Sequence, residues 1–431
     1  MRNILKAFIV FILTLEARII LRKYNPKIIA VTGSVGKTSA KDAIYAALKG
    51  AKSSRKSEKS FNSEFGVPLA ILNRESGWNN PLQWLGNIFA GARLIIARAE
   101  YPDWLILEVG ADRPGDISRT AKWLRPDVAV ITGVPDTPVH VEFFHSAEDV
   151  AREKQELARH AKEGAVLVVN GDDDRALLMR GGFKGKLLRY GFGSKNDVRA
   201  ADEGIIYEKS RPSGMSFRVE EEGASVPIEI RGGLGRAHVY SILAAFAVGR
   251  TVGLDMIAIA EALQSHIPPP GRMRIIEGKN RSIILDDTYN ASPAAASSAL
   301  SALKEVKAEG RKIALLADML ELGRLTAEAH KDVGVQAAKA VDMLVVVGIR
   351  ASAIAQAAIA EGFPEERIRR YAKGESQKAG EDMAQSLQKG DVVLVKGSQS
   401  MRMERATKAL MADPSQAKDL LVRQDEAWQV R

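Results

Sequence analysis

From Lys27 onward, short apolar runs alternate with stretches of helical spacing. "KIIAVTG" (27–33), "DWLILEVG" (103–110), "DVAVITG" (127–133) and "AVLVVNGDDD" (165–174) are bounded by turn residues, and their apolar positions are consecutive. Consecutive apolar positions mark strands covered on both faces, so these runs predict a parallel sheet with helices against each side. "KTSAKDAIYAALKG" supplies the helix after the first strand and ends at Gly50. Residues 183–231 are short, alternating and punctuated by glycine, which predicts antiparallel hairpins. "HIPPPGRM" (266–273) cannot be helical across its three prolines and marks a domain boundary. Beyond it the alternation restarts with "SIILDDT", "KIALLAD", "MLVVVG" and "DVVLVKG". The expected architecture is α/β. A short apolar N-terminal helix (1–26) precedes a central parallel-sheet domain of P-loop ATPase type (27–270) and a C-terminal Rossmann-like α/β domain (271–431).

The apolar opening, "ILKAFIVFILTLEARIILRK", is uncharged only from Ala7 to Leu15, too short a run to span a bilayer. Its basic residues favour an interfacial helix over 4–21 docked on an anionic membrane face, with Arg18, Arg22 and Lys23 adding attraction. "PLQWLGNIFAGARLII" (81–96) is a candidate second contact through Trp84 and Phe89. Two alternatives stay open: a helix packed on its own domain, and a true span.

Composition narrows the chemistry. Over 431 residues the hydrophobic share is 46% and the charged share 27%, as in globular proteins with more than one core. A net charge of +9 points to anionic partners, while no nucleic-acid-binding signature is present. Cysteine is absent, which excludes disulfides, thiolate catalysis and cysteine-ligated zinc and fits the cytoplasm.

The candidate chemistry lies at strand ends. Gly33, Gly36, Lys37 and Thr38 form GxxGKT between a buried strand and a helix; the longer phosphate-loop pattern would want glycine where Val31 stands. Glycines admit phosphate oxygens to backbone N–H groups, and the helix start adds positive potential. Lys37 supplies a cation and the Thr38 hydroxyl a ligand for Mg²⁺. The bland alternative is a plain strand–helix turn. Glu108 closes another apolar strand, where open α/β sheets bind ligands, and is a natural second Mg²⁺ ligand or else a loop acid. His140 and Lys154 would, on spacing alone, be structural or solvated. Asp286 and Asp287 close a strand ahead of the helix start Ser292-Pro293, and Lys396 and Ser398 close the last strand. These clusters predict one cleft between two domains.

Taken together, "TGSVGKTS", "LEVGADRPGDI", "PGRMRIIEGKNRSIILDDTYNASP", "LADMLELG" and "LVKGSQSMRMERATKAL" resemble the ATP-dependent Mur ligases, and within them the members that add D-alanyl-D-alanine to a muramoyl peptide. The resemblance implies a ligase that phosphorylates a carboxylate with ATP and lets an amine displace the phosphate. It implies that Gly33, Ser34, Gly36, Lys37, Thr38 and Ser39 wrap the triphosphate, with Asn62 beside it. Thr38, Glu108 and His140 would hold Mg²⁺, and Lys154 would act as a carbamylated, metal-side anion. Arg272 would reach the γ-phosphate, Asp287 the nucleotide, and His238 the adenine region. Tyr289, Asn290, Lys396 and Ser398 would line the amine-side substrate. The UDP-sugar-binding domain that such ligases carry ahead of the phosphate loop is expected to be absent. Ala237-His238 replaces the family's His-Asn pair, Gly133 an asparagine and Ala317 a glycine. The alternatives are a related amide ligase with another acceptor and a membrane-recruited, non-catalytic nucleotide-binding scaffold.

Overall fold

The computed structural model describes residues 2–57, 64–78, 80–135, 143–144, 146–425 and 428, with side chains from residue 6 onward. Two sheets organise them. The first has nine strands: β1 (Lys27–Thr32), β2 (Ser54–Lys56), β3 (Trp104–Glu108), β4 (Val128–Ile131), β5 (Val166–Asn170), β6 (Lys186–Gly191), β7 (Val198–Glu208), β8 (Arg211–Glu221) and β9 (Ala224–Arg231). They lie in the order β2-β3-β1-β4-β5-β6-β7-β8-β9. The strands from β2 to β7 pair in parallel, and only β7-β8-β9 form the antiparallel meander that the glycine-punctuated stretch predicts. β6, expected among the hairpins, instead joins β5 in parallel, because its partner is fixed by the sheet edge rather than by its own short pattern.

The second sheet has six strands: β10 (Arg274–Glu277), β11 (Ile283–Asp287), β12 (Lys312–Ala317), β13 (Met343–Val347), β14 (Ile368–Tyr371) and β15 (Val392–Lys396). Their order is β10-β11-β15-β12-β13-β14, and β10 alone is antiparallel.

Helices cover both faces of each sheet. In β1, Ile29 and Val31 enter one apolar cluster and Ile28 and Ala30 the other, which is why the positions between Lys27 and Thr32 are all apolar. One face of the first sheet carries α2 (Lys37–Leu48), and the other carries α1 (Arg2–Tyr24), α3 (Gly66–Leu72), α4 (Pro81–Ile96), α5 (Asp116–Leu124), α6 (Ala147–Arg159) and α7 (Asp174–Leu178). Joining α2 on its face are α8 (Arg236–Thr251) and α9 (Met256–Leu263). The second sheet lies between α10 (Pro293–Glu305), α11 (Thr326–Ala338) and α12 (Ser352–Ala360) on one side and α13 (Ser376–Ser386) and α14 (Glu404–Leu410) on the other. α8 packs against α10, so one apolar cluster runs through both units.

The N-terminal stretch is one helix that ends where Asn25 turns left-handed at φ 47 and Pro26 stops it. Leu13, Ala17 and Ile20 are fully buried against the first sheet's helices, so one face of α1 packs on its own domain. α4 is a second helix beside it, capped by Asn80, whose side chain accepts from Leu82 and Gln83 N–H. Trp84 turns inward, donating to the Trp78 carbonyl and packing on Phe65, rather than pointing outward as a headgroup anchor. Lys23 is occupied at the C-terminus of α4, donating to the carbonyls of Leu94, Ile95 and Ala97. Among the described residues no helix is long and apolar enough to cross a membrane.

Candidate active site

The turn after β1 has the geometry of an anion cradle. Gly36 stands in the left-handed region (φ 81) immediately before α2, a conformation that costs glycine little. Gly33 is held against the end of β4: a Cβ there would fall 2.0 Å from Thr132 Oγ1. The Gly133 carbonyl accepts from the N–H groups of Ser34 (2.7 Å) and Val35 (3.3 Å), and Thr132 Oγ1 donates to the Val35 carbonyl at 2.6 Å. Gly133, a departure from the family pattern, therefore buttresses the loop, and a Cβ on it would meet Val35 Cγ2 at 2.8 Å. Lys37 Nζ donates to the Gly33 carbonyl across the loop (2.9 Å). Burial lowers the Lys37 pKa, Glu108 and Asp112 oppose that, and Arg272 reinforces it. Ser39 is buried one turn into α2.

Thr38 Oγ1 donates to Glu108 Oε2 at 2.9 Å, both groups being buried. A hydroxyl and a carboxylate side by side at a phosphate-loop helix start are hard oxygen donors. Mg²⁺ is typically held by one or two such groups, with substrate phosphates and water completing its shell, so this pair fits the ion. Among the described residues no three histidine, aspartate or glutamate side chains form a ready-made metal cage. His140 and Asn62 lie outside the described residues.

Lys154 is almost fully buried on α6, and its pKa is pushed down to about 7, chiefly by burial and then by Lys37. Glu153 and Asp112 pull the other way. Glu153 is itself committed, accepting from the N–H groups of Gly115, Ile117 and Ser118 at the start of α5. It thereby fixes the loop carrying Asp112, whose role is not visible from its place in the LEVGADRPGDI motif.

The second unit supplies the other wall. Asp287 and Lys396 are register partners at the ends of β11 and β15, and Lys396 Nζ donates to Asp287 Oδ2 and, at 3.0 Å, to the Asn290 carbonyl. The Asn290 side chain accepts from Gln399 N–H. Ser398 Oγ accepts from Leu320 N–H, which ties the β12 loop to this cluster. Asp286 has a different task. Fully buried, it accepts from Gly271 N–H, Thr288 Oγ1 and Thr407 Oγ1, and burial raises its pKa to about 6 despite these bonds.

Arg272, in the linker, joins the two walls. Its guanidinium lies 4.0 Å from the Tyr289 ring centre, its buried Nε has no partner, and its charge is felt at Lys37. His238 sits at the start of α8, packed under Gly233 and Pro268. Its pKa falls to about 4, first through burial and then through His266, so the ring is neutral at physiological pH, with a buried Nε2 that lacks a partner.

Comparison with known proteins decides the class. The Mur ligase middle domain matches residues 31–249, and the Mur ligase glutamate ligase domain matches residues 271–399. The chain belongs to the Mur ligase family. Among Mur ligases, the UDP-N-acetylmuramoyl-tripeptide–D-alanyl-D-alanine ligase of Bacillus subtilis (strain 168) is 28% identical over 399 residues, covering 92% of this chain and 79% of the relative. The Escherichia coli (strain K12) enzyme of the same name is 28% identical over 390 residues, covering 89% and 76%. The crystal structure of the MurF ligase from Thermotoga maritima in complex with ADP superposes with a TM-score of 0.74 at 27% identity, covering 95% of this chain and 84% of that one. In this Mur ligase the predicted residues that the structure describes, His238 apart, fall into two groups. Gly33–Ser39, Glu108 and Lys154 gather about the phosphate loop, while Asp287, Tyr289, Asn290, Lys396 and Ser398 gather at the strand ends of the second sheet, with Arg272 between them.

Proposed function

We propose that this Mur ligase is an ATP-dependent, ADP-forming enzyme of peptidoglycan synthesis that joins D-alanyl-D-alanine to the terminal carboxylate of a muramoyl tripeptide. The observation that carries the reading is the position of Arg272, stacked on Tyr289 of the second wall while its charge acts on Lys37 of the phosphate loop. A carboxylate held at Arg272 would lie between the phosphate loop and the amine-side wall.

The acceptor carboxylate oxygen bonds to the γ-phosphorus and ADP departs. The amine nitrogen then bonds to the acyl carbon, the C–O bond to phosphate breaks, and the ammonium loses its proton. Lys37 and Arg272 neutralise charge that develops on the transferring group, a form of preorganised electrostatic stabilisation. Thr38 and Glu108 would hold Mg²⁺, which when bound would offset phosphate charge. Lys396 and Asp287 fix the Asn290 loop on the amine side. Lys154, with a pKa near 7, has a neutral amine available to add to CO₂, forming an N–C bond and releasing a proton to leave a carbamate anion.

The reaction belongs to the cytoplasm, and the enzyme touches the anionic inner face of the membrane through α1 and α4. Phe8, Phe11 and Leu15 form one exposed apolar stripe and Leu82, Leu85 and Phe89 a second, on helices packed side by side. Phosphate release measured with D-alanyl-D-alanine, with other amines and with none tests the substrate assignment. Release that requires both the tripeptide and D-alanyl-D-alanine supports it, and release indifferent to the amine rejects it.

A further inference from the structure

The loop after β11, residues 288–292, carries Tyr289 and Asn290, and all three of its leading carbonyls are claimed by cations. Lys396 takes that of Asn290. The other two, on Thr288 and Tyr289, accept from the guanidinium of Arg423, the latter at 3.0 Å. Arg423 is 134 residues away in sequence from Tyr289 and its side chain is only 5% exposed. It is clamped in turn by Glu404, 1% exposed, whose other oxygen accepts from Arg402. The backbone of Arg423 is left-handed (φ 59), an uncommon conformation for a side chain of this size that the surrounding contacts must hold. The neighbouring Val422 packs against Gly271, where a Cβ would lie 2.8 Å from Tyr289 N and 2.9 Å from Val422 Cγ1. Tyr289 N–H donates back to the Gly271 carbonyl at 3.1 Å. The segment around Arg423 thus braces the linker and the substrate loop together.

We infer that Arg423 is a positioning residue for the amine-side substrate: it sets the Thr288–Tyr289 backbone, and through it the Tyr289 ring under Arg272 and the Asn290 amide. It touches no reacting atom. This inference rests on the reading of 288–292 as the amine-side loop. Two adjacent carbonyls and one carboxylate are satisfied here by one planar, two-pronged donor; a lysine ammonium keeps the charge but only part of that fork.

The test is Arg423→Gln and Arg423→Lys in the full chain, with steady-state kinetics in ATP and in D-alanyl-D-alanine separately. A misplaced loop raises the KM for the amine about 10–100-fold, leaves the KM for ATP within about twofold, and is partly restored in Arg423→Lys. An equal rise for both substrates marks a merely structural role and overturns the inference, as does no rise for either. Hydrogen exchange of the 287–292 amides in the same variants needs no substrate. Faster exchange there, with the 33–39 amides unchanged, supports the inference, and unchanged exchange at 287–292 contradicts it. Should the wild-type chain fail to use D-alanyl-D-alanine, the substrate assignment falls while the exchange result still decides the role of Arg423.

Discussion

Lys37 and Arg272 place positive charge where phosphate charge would develop. Lys37→Ala is expected to lower turnover by roughly 10²–10³ with little change in melting temperature, since Lys37 reaches only across its own loop. Near-normal turnover would remove the phosphate-loop role. Lys154 gives a pH-dependent expectation. Its folded pKa, near 7 against an ordinary 10.5, means that the unfolded chain holds an extra proton between those values. Stability therefore rises with pH from about 7 to 10.5, and the penalty for protonating the buried amine is complete below 7. The proposed carbamate would need the neutral amine, so activity should climb through pH 7 and fall when CO₂ is stripped from the buffer. Lys154→Ala should be inactive and regain part of its activity with formate or acetate; full activity without them would exclude the carbamate. His238 carries a third expectation. With Ala237-His238 in place of the family pair, preference for ATP over GTP should lie near 5- to 150-fold, the worth of about 1–3 kcal/mol, and a preference above about 10⁴-fold would show that another group reads the base.

At the scale of elements, sequence patterning was informative where burial is two-sided. β1, β3, β4, β5, β11, β12, β13 and β15 are runs in which neighbouring residues enter opposite apolar clusters, and such runs announce themselves. β2, with the sequence SRK, has no apolar signal and exists because β3 offers it an edge. β10 and β14 are four-residue edge strands for the same reason. In α1 the buried face was legible only as hydrophobicity, and the structure resolves it into a packed stripe and an exposed one. Phe8 is 59% exposed, Phe11 65%, Leu82 77% and Phe89 72%. Six such side chains at about 1.5 kcal/mol each would give about 9 kcal/mol gross on entering lipid; Arg18 and Arg22 add about 1 kcal/mol apiece on an anionic surface. Because Leu13, Ala17 and Ile20 are core residues, deleting α1 would unfold the domain. The clean variant is Phe8→Glu with Phe11→Glu and Phe89→Glu, which should abolish co-sedimentation with phosphatidylserine vesicles while ligation in solution persists. Equal sedimentation of variant and wild type would reject membrane contact. Between these helices Glu16 is buried against Gly91 with an unpartnered Oε2, and burial raises its pKa to about 7. A raised carboxyl pKa contributes stability at low pH that is lost as pH rises from 4.5 through 7. Glu16→Gln should therefore gain melting temperature over wild type at pH 8 and not at pH 5.

At the scale of the whole molecule, the site is assembled from residues far apart in sequence, and that limits what a linear reading yields. The phosphate loop, Glu108 and the 286–290 motif each announce local chemistry at a strand end. Glu153 capping α5, Thr132 and Gly133 buttressing the phosphate loop, and Arg423 holding the 288–289 carbonyls are pairings across 35 to 135 residues, visible only once the sheets are ordered. What joins these parts is the linker. Gly271 N–H binds Asp286, Met273 N–H binds Asp287, and Arg272 between them is presented to both walls. This junction is proposed to support activation of a carboxylate through an acyl phosphate before amide formation. It is tested most directly with tripeptide acceptor carrying ¹⁸O in its terminal carboxylate, ATP, Mg²⁺ and D-alanyl-D-alanine. The account predicts that the inorganic phosphate released carries one ¹⁸O for each amide formed. Phosphate free of label, formed while ATP is consumed, would mean that water rather than the carboxylate takes the phosphoryl group, and would contradict it.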